Sequence, residues 1–429
     1  MPGKYYTRAR FALLFLLLAV LLLLRKPDLV TNPQLFAEDA SVFFRDQAAA
    51  PHAALFYPYN GQFHLVPRLI ALAESLLPLQ AAPLVCSAAS ILIHALCLSL
   101  FFLPWNRWLI PNDLLRAAAC LVLATALDGS EMIGFSGPLM WYLFLAGVML
   151  LFCPEEHFPP ATGWRWTAIA AMLVIGMSAA PMLTLAPIAA WLVIKRRGMQ
   201  HTLALALLAA LLVQAFGLLL SQHSDRPAQP LVGFVMLAWQ VAAATMVSWA
   251  YGGLVTPLAG KHAALALSKL LSIGPPLFVI IGLVVLVTWL LTTSPPRQRI
   301  RLLIGLYIAL ATLGSALYTR NLVGLAVTLN SDAGAMPARY LVLPGALLVY
   351  IACLILQRLP LRDPRLQAIA LVLIFAAGTH ANFRQPPYPN FPWKAAVPRV
   401  LAWRAARAAG RPKPVGIPIA PPPWTMDLP

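Results

Sequence analysis

Apolar positions in this chain come in long blocks rather than in alternation. Stretches almost free of charge recur from end to end, at 11–25, 82–103, 113–127, 136–153, 202–220, 273–292, 302–318, 340–356 and 366–380. A helix of roughly 20 apolar residues crosses the roughly 30 Å hydrocarbon core of a bilayer, so each block predicts a membrane-spanning helix. Between Arg165 and Lys195 the apolar run is too long for one upright helix and short for two. Ser178 and Pro181 at its middle, with basic groups at both ends, predict a hairpin of two short helices turning at Pro181. The sum is an all-α polytopic membrane protein of about 11 spans.

Composition removes the soluble alternatives. Of 429 residues, 60% are hydrophobic and only 10% charged, outside the range of water-soluble domains. The net charge of +17 would suggest nucleic acid in a soluble protein, but the basic residues lie beside the apolar blocks. They read as topology signals and lipid-phosphate contacts, and no stretch interleaves them with aromatics as a nucleic-acid surface would. Cys86, Cys97, Cys120, Cys153 and Cys353 stand singly inside apolar runs, which predicts buried free thiols rather than zinc or disulfides. The first apolar run, Phe11 to Leu24, follows Lys4, Arg8 and Arg10 but precedes no small-x-small cleavage site, so it is expected to be a retained span.

Charge sets the orientation. With the N-terminus in the cytoplasm, Arg107, Arg116, Lys195 to Arg197, Arg297 to Arg301 and Arg358 to Arg365 all fall on the cytoplasmic side. Hydropathy alone would accept Leu231 to Ala250 as a twelfth span, inverting everything after it; we read it as re-entrant or lying at the interface. The outer side then carries a long, helical first loop, about 26–80, the turn at 128–135, the loops at 221–272 and 319–339, and a tail at 381–429 outside the membrane domain of 1–380. In the tail we expect a helix from about Ala395 to Ala409 and an extended, proline-rich end, packed on the outer face.

Polar chemistry concentrates on that side. Glu38 and Asp39 are adjacent carboxylates between Phe36 and Val42, a setting that raises a carboxylate pKa and suits a general base, although the pair could equally cap a short helix beginning near Glu38. Further along, Tyr57, Tyr59 and Asn60 mix with His64 and Arg68, the last two on one helical face where an anion could meet both. Such a surface suits a sugar or headgroup, and is also the makeup of an interfacial aromatic belt. Asp128 and Glu131 occupy a tight outer turn, while Arg320, Asp332, Arg339 and Tyr340 lie at the last outer loop. There an arginine can grip a phosphate bidentately or simply snorkel. No P-loop, GxGxxG, HExxH or GxSxG pattern has a credible context, which argues against ATP-driven and nicotinamide chemistry.

In layout the chain resembles the C-type (GT-C) glycosyltransferases, polytopic enzymes that take sugars from polyprenyl-phosphate carriers. The points of likeness are a first span followed by a long outer loop with AEDASVFF, the PRLIALAESLLP segment, the outer turn SEMIGFSGPLMW, and the hairpin WTAIAAMLVIGMSAAPMLTLAPIAAWLVIKRR. They cover roughly residues 5–200 well and the rest in general form. The resemblance implies sugar transfer from a lipid-phosphate donor to a glycan, lipid or protein acceptor at the outer face of a bacterial-type cytoplasmic membrane. Glu38 or Asp39 would match the first-loop acidic residue that serves as base or orients the acceptor. Neither a cofactor nor a metal site is indicated. Two other classes remain: a transporter or flippase of an amphiphilic lipid or polysaccharide precursor, and a non-catalytic envelope-assembly protein.

Overall fold

The computed structural model describes residues 2–127, 129, 132–159, 161–220, 245, 253–270, 277–319, 338–361, 363–411 and 413–429. Helix dominates them, and each apolar block contains one. In chain order these are α1 Pro2–Arg25, α2 Leu65–Ser75, α3 Ala82–Ser99, α4 Asp113–Thr125, α5 Leu139–Leu151, α6 Thr162–Gly176, α7 Ala186–Lys195 and α8 Gly198–Leu220. They continue with α9 Leu277–Thr293, α10 Pro296–Thr319, α11 Val342–Arg358, α12 Pro364–Ile374, α13 Ala376–Phe383 and α14 Trp393–Ala408. Among the described residues four helical stretches are long and apolar enough to cross a membrane: Leu79–Phe102, Gly198–Leu219, Pro296–Ala316 and Arg339–Arg358. The number rises to six if each of two bent pairs is one span.

The first bent pair is the hairpin expected from Pro181. Thr162–Gly176 and Ala180–Lys195 meet at 109°, and Pro181 opens the second arm, where its missing N–H removes no helical bond. Pro67 is placed on the same principle, in the first turn of α2. One expectation is corrected. The proline-rich end is not simply extended: Val415–Pro418 (β1) and Thr425–Leu428 (β2) pair as an antiparallel hairpin, so the fold is not purely α. Proline and short strand length hide the pairing, which rests on burial of Ile417, Met426 and Leu428.

The chain divides into two compact units. The first holds residues 1–105, 132–223 and 385–429. In α1, Leu14, Leu18 and Leu22 form one buried stripe at a spacing of four residues, while Leu13, Leu16, Leu17 and Val20 stay exposed. Large exposed side chains of this kind on apolar helices suit a lipid environment.

Hydrogen bonds define two ends of this unit. At one end the N–H of Phe63 bonds the side chain of Gln214 at 2.9 Å, and Val66 N–H bonds the hydroxyl of Ser178 at the hairpin tip, also at 2.9 Å. The tail joins the same end. Gln385 N–H donates to the Arg25 carbonyl at 2.9 Å, Lys26 Nζ to the Pro386 carbonyl at 2.7 Å, and Trp393 Nε1 to the Leu79 carbonyl at 2.7 Å. At the other end Glu155 accepts from Met199 N–H at 2.6 Å and from Arg165 at 3.3 Å, and Gln200 Nε2 reaches the Cys153 carbonyl at 3.0 Å. The tail therefore docks at the first-loop end of this unit, and α6 leaves from the same end to which α7 returns.

The second unit holds residues 106–131 and 224–384. Asn112 caps α4 by accepting from Leu114 and Leu115 N–H, and its Nδ2 donates to Gln367 at 3.0 Å. At this end Arg301 donates to the Trp108 carbonyl and Arg358 to Thr293 at 2.7 Å. At the opposite end Asn382 Nδ2 donates to the carbonyls of Ala126 and Thr256 at 2.6 and 3.0 Å.

Candidate functional site

The first loop is held at an unusual backbone. Ala37 has φ of +44°, a region L-residues rarely occupy, and its N–H donates to the Ala420 carbonyl of the tail at 2.7 Å. Phe36 pairs with Ala420 and stacks on Tyr388, with ring centroids 4.1 Å apart. Directly after this turn, residues Asp39–Phe44 form a π-helical segment rather than α-helix. Backbone strain and π-turns concentrate at functional sites because surrounding structure must over-determine them. Here both flank the Glu38–Asp39 pair.

The two carboxylates are placed differently. Asp39 is 2% exposed and fully engaged. Its oxygens accept from Ser136 Oγ at 2.5 Å, from Ser136 N–H at 3.0 and 3.2 Å, and from the Cys86 thiol at 3.3 Å. Burial pushes the Asp39 carboxyl up to about 7, the Ser136 and Cys86 donors pull against that, and neighbouring Glu38 adds a smaller upward push. Glu38 is half-buried and makes no side-chain hydrogen bond or ion pair among the described residues. Ser136 is set by Gly134, whose φ of +88° lets the turn pass where a Cβ would lie 2.2 Å from Leu29.

Glu74 of α2 is also 2% exposed, and its Oε2 has no hydrogen-bond partner among the described residues. Burial raises the Glu74 carboxyl well above its ordinary value, and the Asp39 charge adds to this.

The aromatic half of the loop packs against the same segment. Phe43 of the π-turn meets Tyr59 and His64, with ring centroids at 6.3 and 5.6 Å, and Tyr59 lies against buried Val42, Phe43 and Ala71. Asn60 and Gly61, with φ of +50° and +73°, form the tight turn that brings Tyr59 and Gln62 into mutual backbone bonds. Tyr57 is exposed, and its carbonyl accepts from Arg68 at 3.0 Å. The expected anion contact of His64 and Arg68 is altered by their surroundings. Arg68 is 1% exposed and paired with Asp46 at 2.8 Å, so its charge is compensated inside the loop, and His64 is buried between the aromatic rings.

Arg339 and Tyr340 belong to the second unit, with the guanidinium 5.3 Å from the Tyr340 ring centroid. Asp128, Glu131, Arg320 and Asp332 lie outside the described residues, as does Leu231–Ala250 apart from Thr245. No group of three His, Cys, Asp or Glu side chains suited to a metal occurs among the described residues.

Sequence reasoning gave Ser136, Cys86 and Glu74 no role. Glu74 alone left a signal: it falls on the buried stripe of α2 with Pro67, Ile70 and Ala71, where a charged residue is out of place. Compared with family models, curated proteins and solved structures, the chain matches none of them.

Proposed function

We propose that this chain is a membrane glycosyltransferase that moves a sugar from a polyprenyl-phosphate donor to a hydroxyl acceptor at the extracytoplasmic face. The observation that carries the reading is the division of labour in one strained turn. Asp39 is buried, pinned by Ser136 and poised near neutrality, while Glu38 beside it is half-buried and has no side-chain partner among the described residues. In this scheme Glu38 takes the acceptor proton as its oxygen attacks the anomeric carbon, and the sugar–phosphate bond breaks with its electron pair on phosphate. Asp39 fixes the turn and sets the local charge. Arg68 is already compensated by Asp46, so it is not assigned to the departing phosphate.

The topology that goes with this is about 11 crossings with a cytoplasmic N-terminus and an outer first loop and tail. Docking of the tail on the first-loop end supports it, as does the position of Lys195 to Arg197 beyond the opposite end of α7.

The test is transfer by purified protein from a defined polyprenyl-phosphate sugar. Glu38→Gln is expected to lower the rate by at least about 100-fold, the usual contribution of a positioned base, with normal expression. Full activity in a Glu38→Gln, Asp39→Asn double variant overturns the assignment. One observation favours a transporter instead: His94, buried mid-α3 and stacked on Tyr142 at 3.5 Å, has no partner for Nε2 among the described residues. Lipid translocation by the purified chain without product formation would select that reading.

A further inference from the structure

Proline spacing in the tail leaves few backbone donors, and the first loop takes them. Pro386, Pro387, Pro389 and Pro392 have no N–H, so Tyr388, Asn390 and Phe391 hold the only ones between 386 and 392. Tyr388 N–H donates to Asp28 Oδ2 at 3.0 Å and Phe391 N–H to Gln34 Oε1 at 2.6 Å. Gln385 N–H is on the Arg25 carbonyl, Lys26 Nζ on the Pro386 carbonyl, and Asn32 Nδ2 on Asn390 Oδ1 at 3.1 Å. Partners rise together along both segments, so residues 385–391 lie beside 25–34 as a strap in fixed register.

Tyr388 is where the strap meets the carboxylate turn. Lys26 Nζ sits 3.5 Å from the centroid of its ring, which stacks on Phe36 at 4.1 Å. Phe36 in turn lies 4.9 Å from Phe135, and the Tyr388 hydroxyl reaches the Ile133 carbonyl at 3.3 Å. Phe36 opens the Ala37 turn that carries Asp39, and Phe135 immediately precedes Ser136, whose N–H and hydroxyl hold the Asp39 carboxylate. Tyr388 thus touches both halves of a contact between residues 97 positions apart. The positive φ at Ala37 persists only where its surroundings over-determine it, and the strap supplies that constraint.

We infer that Tyr388 is a positioning residue for the carboxylate turn, clamping the segments 36–39 and 133–136 together and so keeping Ser136 on Asp39. The Lys26 ammonium over the ring, anchored on Pro386, holds the ring in place. Burial lowers Lys26 to about 8, so it is still charged where Asp39 titrates. Asp28 faces Lys26 at 3.9 Å, and Glu38 and Glu74 are the acids neighbouring Asp39. On the elements packed against the π-turn, Arg45 and Arg68 are taken by Asp46, His64 lies between aromatic rings, and Asp427 is exposed. A loosened clamp lets Ser136 drift and leaves a buried carboxylate short of donors, which raises its midpoint.

The bearing of the clamp on sugar transfer rests on the glycosyltransferase reading, but the clamp itself does not, so the experiment needs no substrate. Infrared spectra are recorded on the full chain in lipid nanodiscs with aspartate carboxyls isotope-labelled, following the titrating band that Asp39→Asn removes. Tyr388→Ala and the bulkier Tyr388→Leu, neither able to stack, are expected to raise the Asp39 midpoint by about one pH unit, the worth of one hydrogen bond to a charged group. Tyr388→Phe keeps the ring and gives up only the long Ile133 contact, so its midpoint is expected to stay close to that of the parent. Combined with Ser136→Ala, Tyr388→Ala is expected to add less than it does alone, because both changes loosen one contact. A parental midpoint in either Tyr388→Ala or Tyr388→Leu overturns the inference. So do shifts that add in full to that of Ser136→Ala, or a Tyr388→Phe shift equal to that of Tyr388→Ala. Absence of product from the parent chain would count against the transferase reading alone and leave these midpoints readable.

Discussion

Adjacent residues of one chemical type end up with different work because burial treats them differently. Asp39 faces inward, where desolvation holds its carboxyl near 7 against the pull of Ser136. If transfer needs Asp39 ionised, activity rises with pH through about 7, and Ser136→Ala, which deletes one donor to the anion, moves that acidic limb to higher pH in a kcat/KM profile. Stability runs the other way. A folded value above the unfolded one means that the contribution of this carboxyl is full below about pH 4 and is lost as pH rises through about 7. Thermal melts of Asp39→Asn should therefore depend less on pH over that window. Neighbouring Asp46 illustrates the same logic for an ion pair: Asp46→Asn leaves the buried Arg68 guanidinium uncompensated and should cost about 3 kcal/mol. Arg45, half out in solvent on the same carboxylate, should cost under about 1 kcal/mol when replaced by alanine. Denaturant or thermal unfolding in mild detergent separates the two. The carboxylate pair was legible in the sequence because two acids stand among apolar residues. Which one is buried was not, since Ser136 lies 97 positions away and only the folded chain brings it to Asp39. Arg68 shows the converse: helical spacing placed it correctly beside His64, but spacing cannot reveal that Asp46 neutralises it.

Elements of the tail supply the support that the strained turn requires. The α14 helix was readable from its composition, and the observed Trp393–Ala408 lies within two residues of the expected ends. The β1–β2 hairpin was not readable, because two strands of four residues flanking three prolines carry no alternation long enough to see. Its stability comes from tertiary burial: Met426 and Leu428 are fully covered, Ala420 accepts from Ala37 N–H, and Trp403 Nε1 donates to the Pro429 carbonyl at 2.7 Å. Placing a charge in that core by Met426→Asp should release the hairpin and with it the Ala37 turn. The expected result is new proteolytic cleavage near residues 34–40 together with loss of transfer, whereas Asp427→Ala, on the exposed face of β2, should change neither. Cleavage confined to the tail, with activity intact, would separate the hairpin from the site. Gly134 works from the other side of Asp39, and Gly134→Ala should mimic the upward pH shift of Ser136→Ala by displacing the serine from the carboxylate.

For the molecule as a whole, hydropathy blocks foretold where helices lie far better than which end of each faces outward. Contacts within the first unit constrain the second question. Gln214 near the end of α8 and Gln385 at the start of the tail both bond to segments at the first-loop end. Between them the chain must cross any membrane an even number of times. Helices α9, α10 and α11 and the bent α12–α13 pair make four crossings if each crosses once, which is already even. A fifth crossing between residues 231 and 250 would carry the tail to the side opposite the loop on which it docks. Charge counting could not resolve this, because inversion merely exchanges the arginines at 297–301 and 358–365 for the basic residues of the tail. Parity is testable by labelling, since the native cysteines are all buried and give little background. Cysteines introduced singly as Asn60→Cys, Ser224→Cys, His262→Cys and Lys413→Cys should react with an impermeant maleimide on intact cells, and Arg197→Cys and Arg297→Cys only after permeabilisation. If Ser224→Cys and His262→Cys label from opposite sides, or Asn60→Cys and Lys413→Cys do, the even count fails. A cytoplasmic Asn60→Cys would place the Glu38–Asp39 turn on the wrong side for a lipid-linked sugar and end the transferase reading.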